Sequence, residues 1–346
     1  MFGNKKRTAF RFLFFGYNSF MKYPDFIKKG SRIGICAPSA GVGKKLEEFE
    51  LSNEVLASKG YRIKETASVR VNNERSASGK KRAAELDELV QDKDVDMILC
   101  AAGGDFMLEM MPYVNFDHIR ENPKWICGMS DPTNLLFPVT TMLDIATLYG
   151  TNGAGFTYDR SRPQSTFFRY IEGDIVKQNS YNRYMTFLDM INENHVYYPV
   201  KWQSKKEELQ IEGRLIGGCL ECIEKLIGTR FDHVNEFIDR YKGDGIVWFL
   251  DVFNMSSYNF YLTLLQMENA GWFRHCKGIL IGRICFPNVE DPKLDYIKAA
   301  DKVLKKIPHI CEMDIGHTTP YMTLINGALI DVRYKQGKGS IAFKLK

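Results

Sequence analysis

No stretch of the 346-residue chain approaches the ~18 consecutive apolar residues that a membrane-spanning helix needs. Its hydrophobic (45%) and charged (26%) fractions are those of a globular protein with a large core. Internal repeats and low-complexity segments are also missing, which sets aside solenoids and fibrous arrays. There is no disulfide framework. The eight cysteines (36, 100, 127, 219, 222, 276, 285, 311) are scattered, several of them within apolar runs, as expected of buried free thiols in a reducing compartment. Cys219 and Cys222 have no second pair to complete a zinc site, and their spacing places both on one face of a helix expected over 217–226, where packing is the simpler role. No metal or other cofactor is called for. The body of the chain carries little excess charge. Of the net +5, four charges are Lys5, Lys6, Arg7 and Arg11 in the first twenty residues, which hold no acid. The remaining +1 gives no electrostatic footprint for nucleic acid. That first segment has only a short apolar run (10–15), broken by Arg11, and no A-x-A cleavage pattern. Residues 1–20 are therefore expected to be a disordered extension before Met21.

From Ser31 onward strands and helices alternate. Strands are expected at 32–37, 61–65, 95–100 and 124–128, and helices at 44–59, 80–91, 106–114 and 133–149. Such alternation implies a parallel sheet with crossover helices, whose site lies beyond the carboxyl ends of the strands. The turns at Pro38-Ser39, Gly103-Gly104 and Met129-Ser130 gather at that edge. We place a flavodoxin-like N-terminal domain at 21–160 and a connecting region rich in Tyr, Asn and Arg at 161–212. An α+β domain follows at 213–346, with a sheet expected to curl like a barrel and a hairpin turn at Asn326-Gly327. The fold class is α/β.

The stretch Trp125-Ile126-Cys127-Gly128-Met129-Ser130-Asp131-Pro132-Thr133 stands out. A buried strand ends at Gly128 and a helix begins just past Ser130, with Pro132 suited to its first turn. A serine on such a turn has its hydroxyl pushed out beside the positive end of a helix, as a hydrolase presents a nucleophile. On its own, G-x-S also fits a simple helix cap. Gly41-Val42-Gly43-Lys44-Lys45 is not a phosphate loop, because Pro38 replaces its first Gly and no Ser or Thr follows the Lys.

Further motifs change the balance. Ala101-Ala102-Gly103-Gly104-Asp105 follows a strand, Gly217-Gly218-Cys219-Leu220 precedes a Trp248-Phe249-Leu250-Asp251 strand, and Gly316-His317-Thr318-Thr319-Pro320 lies near the end. This order resembles the serine peptidase family of LD-carboxypeptidases and microcin-immunity hydrolases, from about residue 29 to the C-terminus. The resemblance implies a Ser-Glu-His triad, a cytoplasmic homodimer and no cofactor. It assigns Ser130 as nucleophile, His317 as base, and Asp251 to the place where the family has glutamate. The oxyanion hole would be the amides of Asp131 and Gly104. Implied substrates are murein-type peptides cut at an L–D bond, or peptidyl- or aminoacyl-nucleotide toxins. Neither a nucleic acid nor a membrane is an implied partner. Gly103, Arg214 and Cys219 are candidate substrate contacts, Cys219 replacing the Asn of the family's G-G-N-L. Trp202 and Arg283 are weighed equally as ligand-binding or core residues. Asp is one methylene shorter than Glu, so its carboxylate falls ~1.5 Å short unless the His317 loop has moved in.

Overall fold

The computed structural model describes residues 20–158 and 162–346. The extension expected over 1–20 lies, but for Phe20, outside the described residues. The first sheet begins with β1 (Arg32–Cys36), β2 (Arg62–Glu65), β3 (Met97–Cys100), β4 (Trp125–Gly128) and β5 (Thr147–Tyr149). Helix α1 (Leu46–Ser58) buries Phe49, Val55 and Leu56 on one stripe. Helix α2 (Gly79–Gln91) is capped by the Ser78 hydroxyl, which accepts the Lys81 N–H, and it buries Ala83, Leu86, Leu89 and Val90. In place of the helix expected over 106–114 there are two 3-10 turns, Met107–Glu109 and Met111–Tyr113. Pro112 has no N–H to continue a helix there. Helix α3 is short (Phe116–Glu121).

Helix α4 (Thr133–Leu143) buries ten of its eleven residues. A helix covered all round is a core helix, and α4 lies between the two sheets of the molecule, touching β5 and the long strand β9 (Glu208–Cys219). Its Phe137 packs 5.8 Å from Trp248 and 5.9 Å from Trp272, ring to ring. The helix is shorter than the 133–149 expected from sequence. Asp144 turns left-handed (φ 55°) after Leu143, and Thr147-Leu148-Tyr149 becomes a strand beside β4, pairing Gly128 with Tyr149. Strand pairing there outweighs the helical spacing that carries the apolar pattern on.

The second sheet draws on β6 (Gln178–Asn179), β9 (Glu208–Cys219), β10 (Ile246–Asp251), β11 (Cys276–Gly282), β12 (His309–Met313), β14 (Leu329–Lys335) and β15 (Lys338–Lys344). A separate ribbon pairs β7 (Arg183–Tyr184) with β8 (Tyr198–Pro199). The seven strands run β12-β11-β10-β9-β14-β15-β6 and form an open sheet, so the expected barrel-like curl does not close. The remaining strand, β13 (Leu324–Asn326), leaves the C-terminal part to pair antiparallel with β5. The first sheet therefore runs β13-β5-β4-β3-β1-β2. Asn326-Gly327 is consequently no hairpin turn; it carries the chain from one sheet to the other.

The helix expected over 217–226 is also corrected. Strand β9 continues through Gly217, Gly218 and Cys219, and only Leu220–Ile223 is α-helical. Gly218 is required by close approach: a β-carbon there would collide with the Thr133 side chain at the start of α4. The Thr133 hydroxyl oxygen accepts the Cys219 N–H at 3.0 Å, fixing helix against strand.

Candidate active site

Strand β4 ends at Gly128, and Ser130 takes φ +72°, a left-handed conformation uncommon for any residue but glycine. Several bonds pin this turn. The Ser130 carbonyl accepts the Thr133 N–H at 2.9 Å. The Met129 N–H donates to Asn152 Oδ1 at 2.9 Å, and Asn152 Nδ2 donates back to the Met129 carbonyl. The Ser130 N–H donates to the Tyr149 hydroxyl at 3.2 Å. Beside it runs the Gly103-Gly104 turn, where a β-carbon on Gly103 would come 3.1 Å from Ser130 Cβ.

Asp131 is buried, and its carboxylate ties three segments together. Oδ2 accepts from the Ser39 hydroxyl after β1 and from the Met107 N–H after β3, the latter at 2.8 Å. Oδ1 accepts from Asn134 Nδ2 at 2.7 Å. Burial raises the Asp131 pKa above the ordinary carboxylate value, against the lowering effect of Ser39 and Met107. Among the described residues, the backbone N–H groups of Asp131 and Gly104 make no hydrogen bond.

Asp251, the last residue of β10, is fully buried. His317 Nδ1 lies 3.1 Å from its Oδ1 and 3.0 Å from its Oδ2. The Tyr149 hydroxyl donates to Oδ2 at 2.5 Å. The short aspartate is met by the backbone of the histidine loop. Gly316 sits at φ +95°, and a β-carbon there would collide with Asp251 Oδ1. Phe253 packs against the His317 ring at 4.5 Å between centroids. Burial alone would lower the His317 pKa, but the charge of Asp251, its hydrogen bond and the more distant Glu221 outweigh it, leaving the ring above the ordinary 6.5.

The loop carrying His317 is anchored from beneath by a buried polar cluster. Arg283 donates to Asp314 Oδ1 at 2.5 Å, to the Thr318 hydroxyl oxygen at 3.2 Å and to the Glu312 carbonyl at 3.0 Å. Trp202 Nε1 donates to Asp314 Oδ2 at 2.9 Å. Arg283 and Trp202, weighed above as ligand or core residues, are both spent on this support. Arg214 is placed far from Ser130. It pairs with the start of β10 at Ile246, whereas Asp251 ends that strand. Its guanidinium is held by Asp244 at 2.6 Å and lies over the Tyr241 ring.

Cys219 and Cys222 do border the site. Cys219 Sγ is 3.2 Å from Glu221 Oε2, and Cys222 Sγ is 3.8 Å from both the Ser130 carbonyl and Asp131 Oδ1. All eight cysteines are free thiols, and no cluster among the described residues could hold a metal. Glu221 Oε1 accepts the N–H groups of Phe253 and Asn254 at 2.9 and 2.7 Å, so it shapes the loop after Asp251. It also lines a cavity of about 360 Å³ with Glu224, Asn254, Met255 and Thr263.

Sequence reasoning placed the Pro38-Ser39 turn at this edge without giving Ser39 a role, and it missed Tyr149, Asn152 and Glu221. The one usable signal was position: Ser39 and Tyr149 lie at carboxyl ends of parallel strands, where such sheets build their sites. For Tyr149 that signal was hidden by reading its strand as the end of a helix.

Fold and site together define a two-sheet α/β protein with a serine, an acid and a histidine linked through one tyrosine. Residues 33–150 match the LD-carboxypeptidase N-terminal domain, and residues 212–332 match the LD-carboxypeptidase C-terminal domain. The chain therefore belongs to the LD-carboxypeptidase family of peptidases. Among its relatives is "Putative carboxypeptidase YocD" of Bacillus subtilis strain 168, 27% identical over 92% of this chain and 98% of its own. The microcin C7 self-immunity protein MccF of Escherichia coli is 25% identical over 90% of this chain and 93% of its own. A solved structure of MccF superposes with a TM-score of 0.80 over 93% of this chain and 98% of that one, at 22% identity. The muramoyltetrapeptide carboxypeptidase of Oxalobacter formigenes gives 0.73 over 90% and 98%, at 18% identity. In the described residues no helix is long and apolar enough to cross a membrane.

Proposed function

We propose that the chain is a serine carboxypeptidase that releases a terminal D-amino acid from murein-type peptides. The observation that carries this reading is the contact of His317 Nδ1 with Asp251 beside the strained turn of Ser130. In this mechanism Ser130 Oγ attacks the scissile carbonyl and its proton passes to His317 Nε2. Asp251 holds the ring by Nδ1–H and balances the imidazolium that forms. The oxyanion is met by the N–H groups of Gly104 and Asp131, which no described residue occupies. His317 then returns the proton to the leaving amine as the C–N bond breaks. Water, deprotonated by the same imidazole, releases the acyl group from Ser130. No cofactor enters these steps.

A second reading has its own support. Solved MccF structures, which share the fold over nearly the whole chain, include complexes with aspartyl sulfamoyl adenosine and glutamyl sulfamoyl guanosine. On that reading the same three residues would cleave an aminoacyl- or peptidyl-nucleotide conjugate. A panel of a tetrapeptide ending in D-Ala and an aminoacyl sulfamoyl adenosine, with Ser130→Ala as control, separates the two. Release of D-Ala supports the carboxypeptidase, and cleavage of the nucleotide conjugate alone supports the second reading. Tight binding without turnover of either would make the chain a catalytically silent binding protein. The homodimer and cytoplasmic setting implied by the resemblance belong to the proposal too, and sedimentation of the purified protein tests the former.

A further inference from the structure

We propose that Tyr149 is a positioning residue that couples the Ser130 turn to the Asp251–His317 pair. The inference rests on the reading of Ser130 as the nucleophile. The Tyr149 hydroxyl stands between the two halves of the site, accepting the Ser130 N–H at 3.2 Å and donating to Asp251 Oδ2 at 2.5 Å. An amide only donates and an ionised carboxylate only accepts, so the phenol's single proton must point to Asp251. The direction of the chain Ser130 N–H to Tyr149 to Asp251 is therefore fixed by chemistry.

Each end of that chain has a consequence. At the serine, strand pairing has ended with Gly128, so the Ser130 N–H has no partner in the sheet ladder. The phenol oxygen gives that half-buried amide its partner. At the acid, Nδ1 of His317 is nearly equidistant from the two oxygens of Asp251. Occupation of Oδ2 by Tyr149 leaves Oδ1 as the freer acceptor, on the side closed by Gly316. The phenol also draws off part of the carboxylate charge that His317 would otherwise feel. Burial, then the nearby Asp251, push the Tyr149 pKa well above its ordinary value, so the hydroxyl keeps its proton throughout the working range. The ring is buried against Phe249 at 5.2 Å between centroids, which holds it in place. The other titratable groups that act on this cluster are Glu221, Cys219 and Cys285, and none of them supplies a donor to Asp251 among the described residues.

The test is the rate of covalent labelling of Ser130 by a fluorophosphonate, followed against pH. It needs no knowledge of the substrate. Tyr149→Phe keeps the ring and removes the hydroxyl. It should label about 10–100-fold more slowly, as loss of a charge-assisted hydrogen bond does. Its acid limb should move to higher pH, because His317 then faces the undiminished charge of Asp251. Incorporation of 3-fluorotyrosine at 149 keeps the hydroxyl and makes it a stronger donor, so the limb should move to lower pH. This second variant carries the test if Tyr149→Phe folds poorly. Labelling of the unaltered protein together with wild-type rates and limbs in both variants would overturn the role of Tyr149 while leaving the serine reading intact. Failure of the unaltered protein to label at Ser130 would overturn that reading, and this inference with it.

Discussion

Asp251 meets His317 although its side chain is a methylene shorter than the glutamate that the family resemblance implies at this place. The gap is closed from the histidine side, where the Gly316 backbone runs so close to Oδ1 that no β-carbon fits. Restoring the longer acid should therefore harm the site. Asp251→Glu is expected to lower kcat/KM, on the order of 100-fold for a displacement of about 1 Å, and recovery of activity in that variant would contradict the fit. The pH dependence follows from His317. In the proposed mechanism His317 is the general base and must be neutral, and its pKa is raised above 6.5 by Asp251 against the effect of burial. kcat/KM should thus fall as pH drops through a midpoint above 6.5. The stability linkage has the opposite sense. A raised histidine pKa favours the folded state fully below the unfolded value, and that contribution disappears as pH rises through the folded one. A pH–rate profile and urea melts at several pH values read the two effects separately. At this scale Ser130, Asp251 and His317 were singled out by the family resemblance of their motifs, and the structure brings the His317 and Asp251 side chains into contact. Tyr149 was not legible, since its partners lie 19 and 102 residues away and are brought to it only by sheet order.

Among the elements, the strands and the helices at 44–59 and 80–91 came through with small shifts at their ends, while the helix expected over 106–114 gave way to two 3-10 turns around Pro112. Three other misreadings share a cause. The glycine pair at 217–218 looked like a helix start, yet it is strand, because α4 presses its first residue against β9 there. Thr147–Tyr149 looked like helix because its apolar spacing continued α4, while the decisive partner, β4, lies some twenty residues earlier. Asn326-Gly327 looked like a hairpin, but its preceding strand pairs with β5 in the other sheet. In each case a tertiary contact overrode a local pattern. The Gly218 contact can be probed directly. Gly218→Ala should destabilise the protein by about 1–3 kcal/mol, as overpacking does. Adding Thr133→Ser, which removes the colliding methyl and keeps the hydroxyl that accepts the Cys219 N–H, should recover part of the loss. Thermal melts of the single and double variants check this, and purely additive losses would count against the contact.

For the molecule as a whole, the two sheets are not independent units. Strand β13 leaves the C-terminal part of the chain to complete the first sheet, α4 is covered from both sides, and Tyr149 of the first sheet binds Asp251 of the second. Unfolding is accordingly expected as one calorimetric transition, and two resolved transitions would contradict this interlocking. The placement of the site follows from the same arrangement, because the serine comes from one sheet and the acid from the other. The central claim is that this junction makes Ser130 a nucleophile. It is tested most directly by mass spectrometry of the protein after exposure to a fluorophosphonate. The account predicts one adduct, mapped to Ser130, lost in Ser130→Ala and strongly slowed in His317→Ala. An unmodified Ser130, or an adduct that forms equally well without His317, would contradict it.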